Sequence, residues 1–309
     1  RKPLVPAAAI LLLLVQRRAE IGGLYPTVSA SAFYPRIGLL EKIPRGAPYR
    51  VAALDYTFIP NIAALYELED VRGYEAMTFA PLARTFPLWC VAQPVWFNRV
   101  DDPTKPFLSF LNVRYVLDKQ SRPTPPGWNV LGEEGAMRLL ENPRALERVF
   151  VPRWVAREGQ PARVLERLHA IRDFGEAGVL LDAPATLSKN GEARVEITAA
   201  TAQRMELSID ARERSVIGTS VTAWPGWRLT IDGGARPLLS YNHAFLGFEV
   251  APGRHRAELA YRPRSFSTGL WISGLTLAAV LASVARARVR LSGTGPPRRR
   301  EPARPATGP

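Results

Sequence analysis

Cysteine is almost missing from this chain of 309 residues: Cys90 stands alone. No disulfide can form within it, and no metal site can be built from thiolates. Histidine is nearly as scarce. His169, His243 and His255 lie far apart with no ligand-like spacing, so the sequence offers no metal centre, and nothing in it calls for a cofactor. Lysine is confined to Lys2, Lys42, Lys105, Lys119 and Lys189, which leaves arginine to carry the positive charge. From Phe266 to Ala285 charge is absent altogether.

The formal net charge of +13 would fit a nucleic-acid binder if it were gathered on a folded surface, but it is not. The residues from Arg286 onward carry +6 and the first twenty carry +3, leaving only +4 for residues 21–285, where acids and bases are interspersed. The excess flanks apolar segments. Phospholipid headgroups are therefore the natural partner, and nucleic acid is excluded.

At 1.5 Å per residue, the uncharged twenty-residue stretch 266–285 is about 30 Å long as a helix, one hydrocarbon thickness. It reads as a transmembrane helix, entered past Arg262 and Arg264 and left through Arg286, Arg288 and Arg290, with Tyr261, Phe266 and Trp271 as interface anchors. Six arginines follow this stretch within fifteen residues and four precede it, a bias that puts the tail inside and the bulk of the chain outside. A second apolar run, Leu4 to Val15, is too short to span by itself and reads either as a segment lying at the interface or, the preferred reading, as part of a truncated membrane helix. Because the chain begins at Arg1 and runs directly into this segment, it is expected to be a piece of a longer polypeptide.

Between the apolar segments the hydrophobic period changes. Residues 21–175 mix strand-like runs at Tyr49–Leu54 and Leu111–Leu117 with a helical face made by Val164, Leu165, Leu168 and Ile171, so that part is α+β. From residue 178 the period is two: Met205, Leu207 and Ile209 alternate with Glu206, Ser208 and Asp210, and Trp227, Leu229 and Ile231 alternate with Arg228 and Thr230. Ala244, Leu246, Phe248 and Val250 share one face, as do Ala257, Leu259 and Tyr261. With turns at Lys189-Asn190-Gly191, Asp232-Gly233-Gly234 and Ala251-Pro252-Gly253, the expected architecture is a β-sandwich of about seven half-buried strands. The expected organisation is thus a truncated membrane helix over 1–20, a mixed α+β extracytoplasmic domain over 21–175, an all-β sandwich over 176–264, a transmembrane helix over 265–286, and a disordered basic cytoplasmic tail over 287–309.

Particular residues then take on a familiar order. Pro60-Asn61, Asp70-Val71-Arg72-Gly73-Tyr74, Leu111-Asn112-Val113-Arg114-Tyr115-Val116-Leu117 and Glu141-Asn142-Pro143 come first. Trp224-Pro225-Gly226-Trp227, Thr230-Ile231-Asp232-Gly233, Asn242, Phe245, Val250-Ala251-Pro252-Gly253-Arg254-His255 and Tyr261-Arg262-Pro263 follow, leading into the apolar helix. Together they resemble the C-terminal end of the YfhO-type bacterial membrane proteins. That family looks like the GT-C class of glycosyltransferases, which pass a sugar from a polyprenyl-phosphate carrier to an acceptor outside the cytoplasmic membrane. The resemblance implies a bilayer, a polyprenyl-phosphate sugar and an envelope glycan acceptor as partners, and a place in cell-envelope glycan modification. It also implies that the catalytic acids lie in N-terminal outer loops, so that this piece alone is not catalytic.

Chemistry of that kind needs carboxylates, cations for the carrier phosphate and aromatic faces for sugar rings. Asp70, Arg72 and Tyr74 place an acid, a base and an aromatic within five residues; the plainer reading is an Asp70–Arg72 ion pair inside a loop. Trp224 and Trp227 flank a Pro-Gly turn of a shape that sugar-binding modules use. Trp227 is in phase with Leu229 and Ile231, however, which favours packing in the core. Asp101 and Asp102 before Pro103 read as a turn or cap, Asn112, Arg114 and Tyr115 as part of a strand, and Gly233-Gly234 as a hairpin turn. The alternative to a transferase is a membrane-tethered β-sandwich that binds glycan or protein without catalysis.

Overall fold

A computed structural model describes residues 4–21, 28–46, 48–73, 77–92 and 97–292. Tyr74, the first three residues and the tail from 293 on lie outside the described residues.

Sixteen strands form three sheets. In chain order they are β1 (Arg50–Ala53), β2 (Val113–Lys119), β3 (Asn129–Glu134), β4 (Met137–Glu141), β5 (Val149–Phe150), β6 (Trp154–Glu158), β7 (Ala177–Leu181) and β8 (Thr186–Lys189). They continue with β9 (Ala193–Ala200), β10 (Arg204–Ala211), β11 (Ser215–Thr222), β12 (Trp227–Ile231), β13 (Gly234–Arg236), β14 (Leu239–Tyr241), β15 (Phe245–Val250) and β16 (Gly253–Tyr261). The first sheet is β1-β2-β4-β3, the middle one β5-β11-β15-β14-β7-β6-β8, and the outer one β13-β12-β16-β10-β9.

The middle and outer sheets form the sandwich, with Leu207, Ile209, Ile217, Leu246, Phe248 and Leu259 in the core between them. The other face of the middle sheet is covered as well. There Phe107, Phe110, Phe150, Phe174, Tyr241 and Phe245 build an aromatic core continuous with Leu54, Val116 and Leu140 of the first sheet. The Pro161–Ala170 helix closes the same core with Val164 and Leu168 buried and with Leu165 and Ile171 packed at its margin, the face that its sequence period predicts.

Two expectations need correction. Residue 175 does not separate two sheets: β5, β6 and β7 join β11, β14 and β15 in one, so the sandwich holds twelve strands rather than about seven. The pairing of β6 with β7 is parallel and needs the intervening helix as its crossover, which the sequence divided between two domains. Secondly, β15 is not half-buried. Leu246, Phe248 and Val250 face the sandwich while Phe245 and Ala244 belong to the aromatic core, because a strand in a middle layer is covered on both faces and loses its polar alternation.

Turn chemistry sets the hairpins. Asp232 (φ 52°) and Gly233 (φ 78°) both lie in the left-handed region, as a two-residue loop from β12 to β13 requires. Asn190, expected in a turn, is buried, and its side chain acts as a backbone mimic. Its Nδ2 donates to the carbonyls of Pro152 and Val216, each at 2.8 Å, and its Oδ1 accepts from Val216 N–H at 2.8 Å.

Tyr241 is fully buried and lies against glycines on three strands. A Cβ at Gly178 would come within 1.9 Å of its hydroxyl, one at Gly218 within 2.6 Å of its ring and one at Gly247 within 2.8 Å of its Cβ. Among the described residues its hydroxyl makes no hydrogen bond of good geometry, and burial, opposed only in part by the neighbouring Asn242 side chain, raises its pKa well above the usual phenol range. Gly178→Ala should therefore cost about 1–3 kcal/mol through overpacking. Tyr241→Phe, which removes only an unsatisfied hydroxyl, should cost under about 1 kcal/mol. Chemical denaturation of the two variants checks both values.

Two long helices flank the folded part and are exposed over residues 7–21 and 264–286; Pro263, just before the second, is half-buried. Leu4–Ile21 carries Arg17, Arg18 and Glu20 within its last turns. Arg264–Ser292 contains the stretch Arg264–Arg286, none of it buried, which alone among the described helices is long and apolar enough to cross a membrane.

Candidate functional site

The sandwich has a direction. β16 ends at Tyr261, three residues before the apolar helix, and pairs antiparallel with β12 so that Trp227 lies opposite Tyr261 and Ile231 opposite Ala257. Trp227, Tyr261 and Arg204 therefore stand at the helix-proximal end. Gly253 stands at the distal end, about 26 Å away along a nine-residue strand, with His255 and Asp232 toward the same end.

The Trp224–Trp227 turn is fastened to the root of the helix. Arg262 N–H donates to Gly226 O at 2.8 Å, and a Cβ on Gly226, whose φ is 124°, would lie 2.9 Å from Pro263 Cα. Only glycine fits there. The two tryptophans part company at this turn. Trp227 packs on the sandwich core and tilts against Tyr261 at 5.4 Å, whereas Trp224 is 42% exposed and stacks on Phe79, with ring centroids 4.6 Å apart. Arg228, Arg262 and Arg264 are exposed around this end and make no ion pair among the described residues.

Asp70 and Arg72 are elsewhere. Asp70 bridges to Val51 of the first sheet and holds the Arg72 guanidinium in a fork, with Nε–Oδ1 at 3.0 Å and Nη2–Oδ2 at 2.7 Å. Arg72 Nη2 also donates to Phe58 O, and Phe97 covers the guanidinium at 5.3 Å. With side-chain exposures of 0% and 3%, this pair is sealed from solvent, and no phosphate can reach Arg72 without opening the fold. The structure thus brings the two tryptophans to one turn and keeps the Asp70–Arg72 pair apart from them.

The remaining candidates are structural. Asp102 Oδ1 caps a turn by accepting from Thr104 N–H at 2.9 Å, and Asp101 accepts from Arg99, whose hydrogen bond holds its carboxyl below the usual range. Asn112 (φ 67°) ends one short helix and starts β2, with Nδ2 donating to Leu146 O at 2.7 Å. Cys90 is buried, and burial pushes its thiol far up, which makes it inert. Among the described residues no three His, Cys, Asp or Glu side chains gather to hold a metal ion.

An open cleft of about 650 Å³ at the distal end was not legible in the sequence. Arg153, Lys189, Arg194 and Arg212 line it, against Glu192 and Asp210. These residues come from the segment before β6, the end of β8 and the turn after it, β9, and the end of β10 and the residue after it, so only the meeting of the two sheets assembles them. Its excess of positive charge suits an anionic ligand.

Beside the cleft, His255 clamps two turns. Its Nδ1 lies 2.7 Å from Asp232 Oδ2 and its Nε2 3.0 Å from Ala251 O. Both partners accept only, so the imidazolium alone satisfies both. The Asp232 hydrogen bond raises the His255 pKa, and Asp232 is lowered in turn by His255 and by Arg256 N–H. A raised histidine stabilises the fold below its ordinary value of 6.5 and loses that contribution as pH rises through its folded value. A lowered aspartate contributes above its ordinary 3.8 and loses it as pH falls through its folded value. The clamp is therefore strongest between those ordinary values. In an NMR titration His255 should titrate above 6.5, and Asp232→Asn should bring it down.

Among the described residues, a β-sandwich runs directly into the root of an apolar helix long enough to cross a membrane. The family described as bacterial membrane protein YfhO matches residues 184–273, from the start of β8 into that helix. The resemblance read from the Trp-Pro-Gly-Trp turn through Tyr261-Arg262-Pro263 holds over this span, while the segments between Pro60 and Pro143 lie outside it. Neither the curated proteins nor the solved structures give a match.

Proposed function

We propose that the chain is the C-terminal extracytoplasmic portion of a polytopic protein of the bacterial cytoplasmic membrane. In this reading the protein transfers sugar from a polyprenyl-phosphate carrier to an envelope glycan, and this portion shapes the acceptor side. The observation that carries the reading is the family match over residues 184–273, which joins the sandwich to the apolar helix. The two ends of the sandwich support it. Arg228, Arg262 and Arg264 at the foot are where the phosphate of a membrane-embedded carrier would lie. The cationic distal cleft, about 26 Å higher along β16, is too far out for that phosphate and suits an anionic acceptor polymer.

Neither Asp70 nor Asp232 is free to act as a catalytic acid in this scheme. Asp70 is locked to Arg72, and Asp232 to His255. The distal cleft also favours a second reading, a tethered module that binds glycan without catalysis, because a binding role needs nothing beyond it.

Two measurements test the proposal. Residues 1–309 purified alone should not turn over polyprenyl-phosphate sugars, and turnover abolished at Asp70 would place the chemistry here. In intact cells, a cysteine at Ser188 should react with an impermeant reagent while one at Thr307 is protected; the reverse pattern refutes the topology.

A further inference from the structure

We propose that the Trp224–Trp227 turn, with Phe79 stacked on Trp224, is a lip seated in the headgroup layer of the bilayer, which holds the sandwich upright on its helix. The inference rests on the apolar helix spanning the membrane and is independent of any transferase chemistry.

Distance makes the first argument. Gly226 is hydrogen-bonded to Arg262 and in contact with Pro263, and the uncharged stretch begins at Phe266. Three residues advance the chain at most about 10 Å. The polar layer on each side of the hydrocarbon core is about 5–8 Å deep, half the difference between the full bilayer and its core. A turn pinned this close to the start of the span stands at or next to that layer.

Chemistry makes the second. Trp224 is 42% exposed, and Met77, two residues before its partner Phe79, is 85% exposed, so the turn presents an aromatic and an apolar side chain to whatever surrounds the root of the helix. Arg228, Arg262 and Arg264 surround the foot with no carboxylate partner among the described residues, leaving their guanidinium groups for lipid phosphates. Tryptophan with arginine beside a span is the composition of a membrane interface.

Occupancy of the rings argues against a sugar platform. Phe79 already covers one face of Trp224, and Trp227 is turned inward against Tyr261 and the sandwich core. The two indoles do not offer a shared open surface.

The experiment uses the full chain in vesicles of phosphatidylglycerol and phosphatidylcholine, with one introduced cysteine carrying a nitroxide; Cys90 is buried and does not compete for label. Labels at Met77→Cys and Pro225→Cys report on the lip, Leu275→Cys on the span and Arg254→Cys on the distal end. Collision with oxygen, which partitions into lipid, is compared with collision with a water-soluble nickel chelate. The lip labels are expected to favour oxygen relative to the distal label. Adding Trp224→Ala to the Met77 label should shift it toward water without lowering the melting temperature. A lip label as water-exposed as the distal one, while Leu275→Cys stays lipid-exposed, overturns the lip and leaves the span standing. Water exposure at Leu275→Cys as well overturns both. Protection of the lip labels by added envelope glycan but not by vesicles would make the turn a sugar site and also overturn the proposal.

Discussion

Tyr241 lies where β14 passes over the glycines of β7, β11 and β15, packed on the rings of Phe110 and Phe150. Around it the middle sheet is apolar on both faces, and a seven-stranded sheet of that kind cannot stand without cover on each side. The outer sheet supplies one cover. Residues 107–116, the first sheet and the Pro161–Ala170 helix supply the other. The association of the two halves of the chain follows from this one constraint.

Polar contacts then fix the register of the halves. Arg50, on β1, donates from Nη1 to Leu111 O at 3.0 Å and to Ser220 O at 3.1 Å, and Ser220 is fully buried on β11. Burial, with repulsion from Arg148, brings the Arg50 pKa down to about 10, partly offset by Glu69. Glu69 itself is raised by burial, but hydrogen bonds and charge from Arg148 and Arg50 outweigh this and leave it below its usual range. An arginine held this way leaves unpaired carbonyls behind when removed, so it specifies one docking geometry as much as it adds stability.

How much of this the sequence displayed depends on where each strand sits. β10, β12 and β16 form an outer sheet with one wet face, and their alternation at Met205–Ile209, Trp227–Ile231 and Ala257–Tyr261 was readable. β11, wet on neither face, showed no such alternation, the period of two in β15 suggested one wet face where the structure has none, and short β5 and β14 fall below the length at which a period is visible. The long apolar helix was plain from its uncharged length. The contrast between Trp224 and Trp227 followed from phase, but its cause, the fastening of Gly226 to Pro263, depends on a contact 37 residues apart in sequence. The distal cleft was hidden for the same reason, since its arginines come from separate strands that sequence proximity does not join.

If the middle sheet is the shared element, residues on either side of residue 175 belong to one cooperative unit. Hydrogen exchange on the full chain in detergent, followed by mass spectrometry under increasing denaturant, tests this most directly. The account predicts that β2 and β4 of the first sheet lose protection together with β11 and β15 of the middle one. Full exchange of β2 and β4 at denaturant concentrations where β11 and β15 remain protected would contradict it.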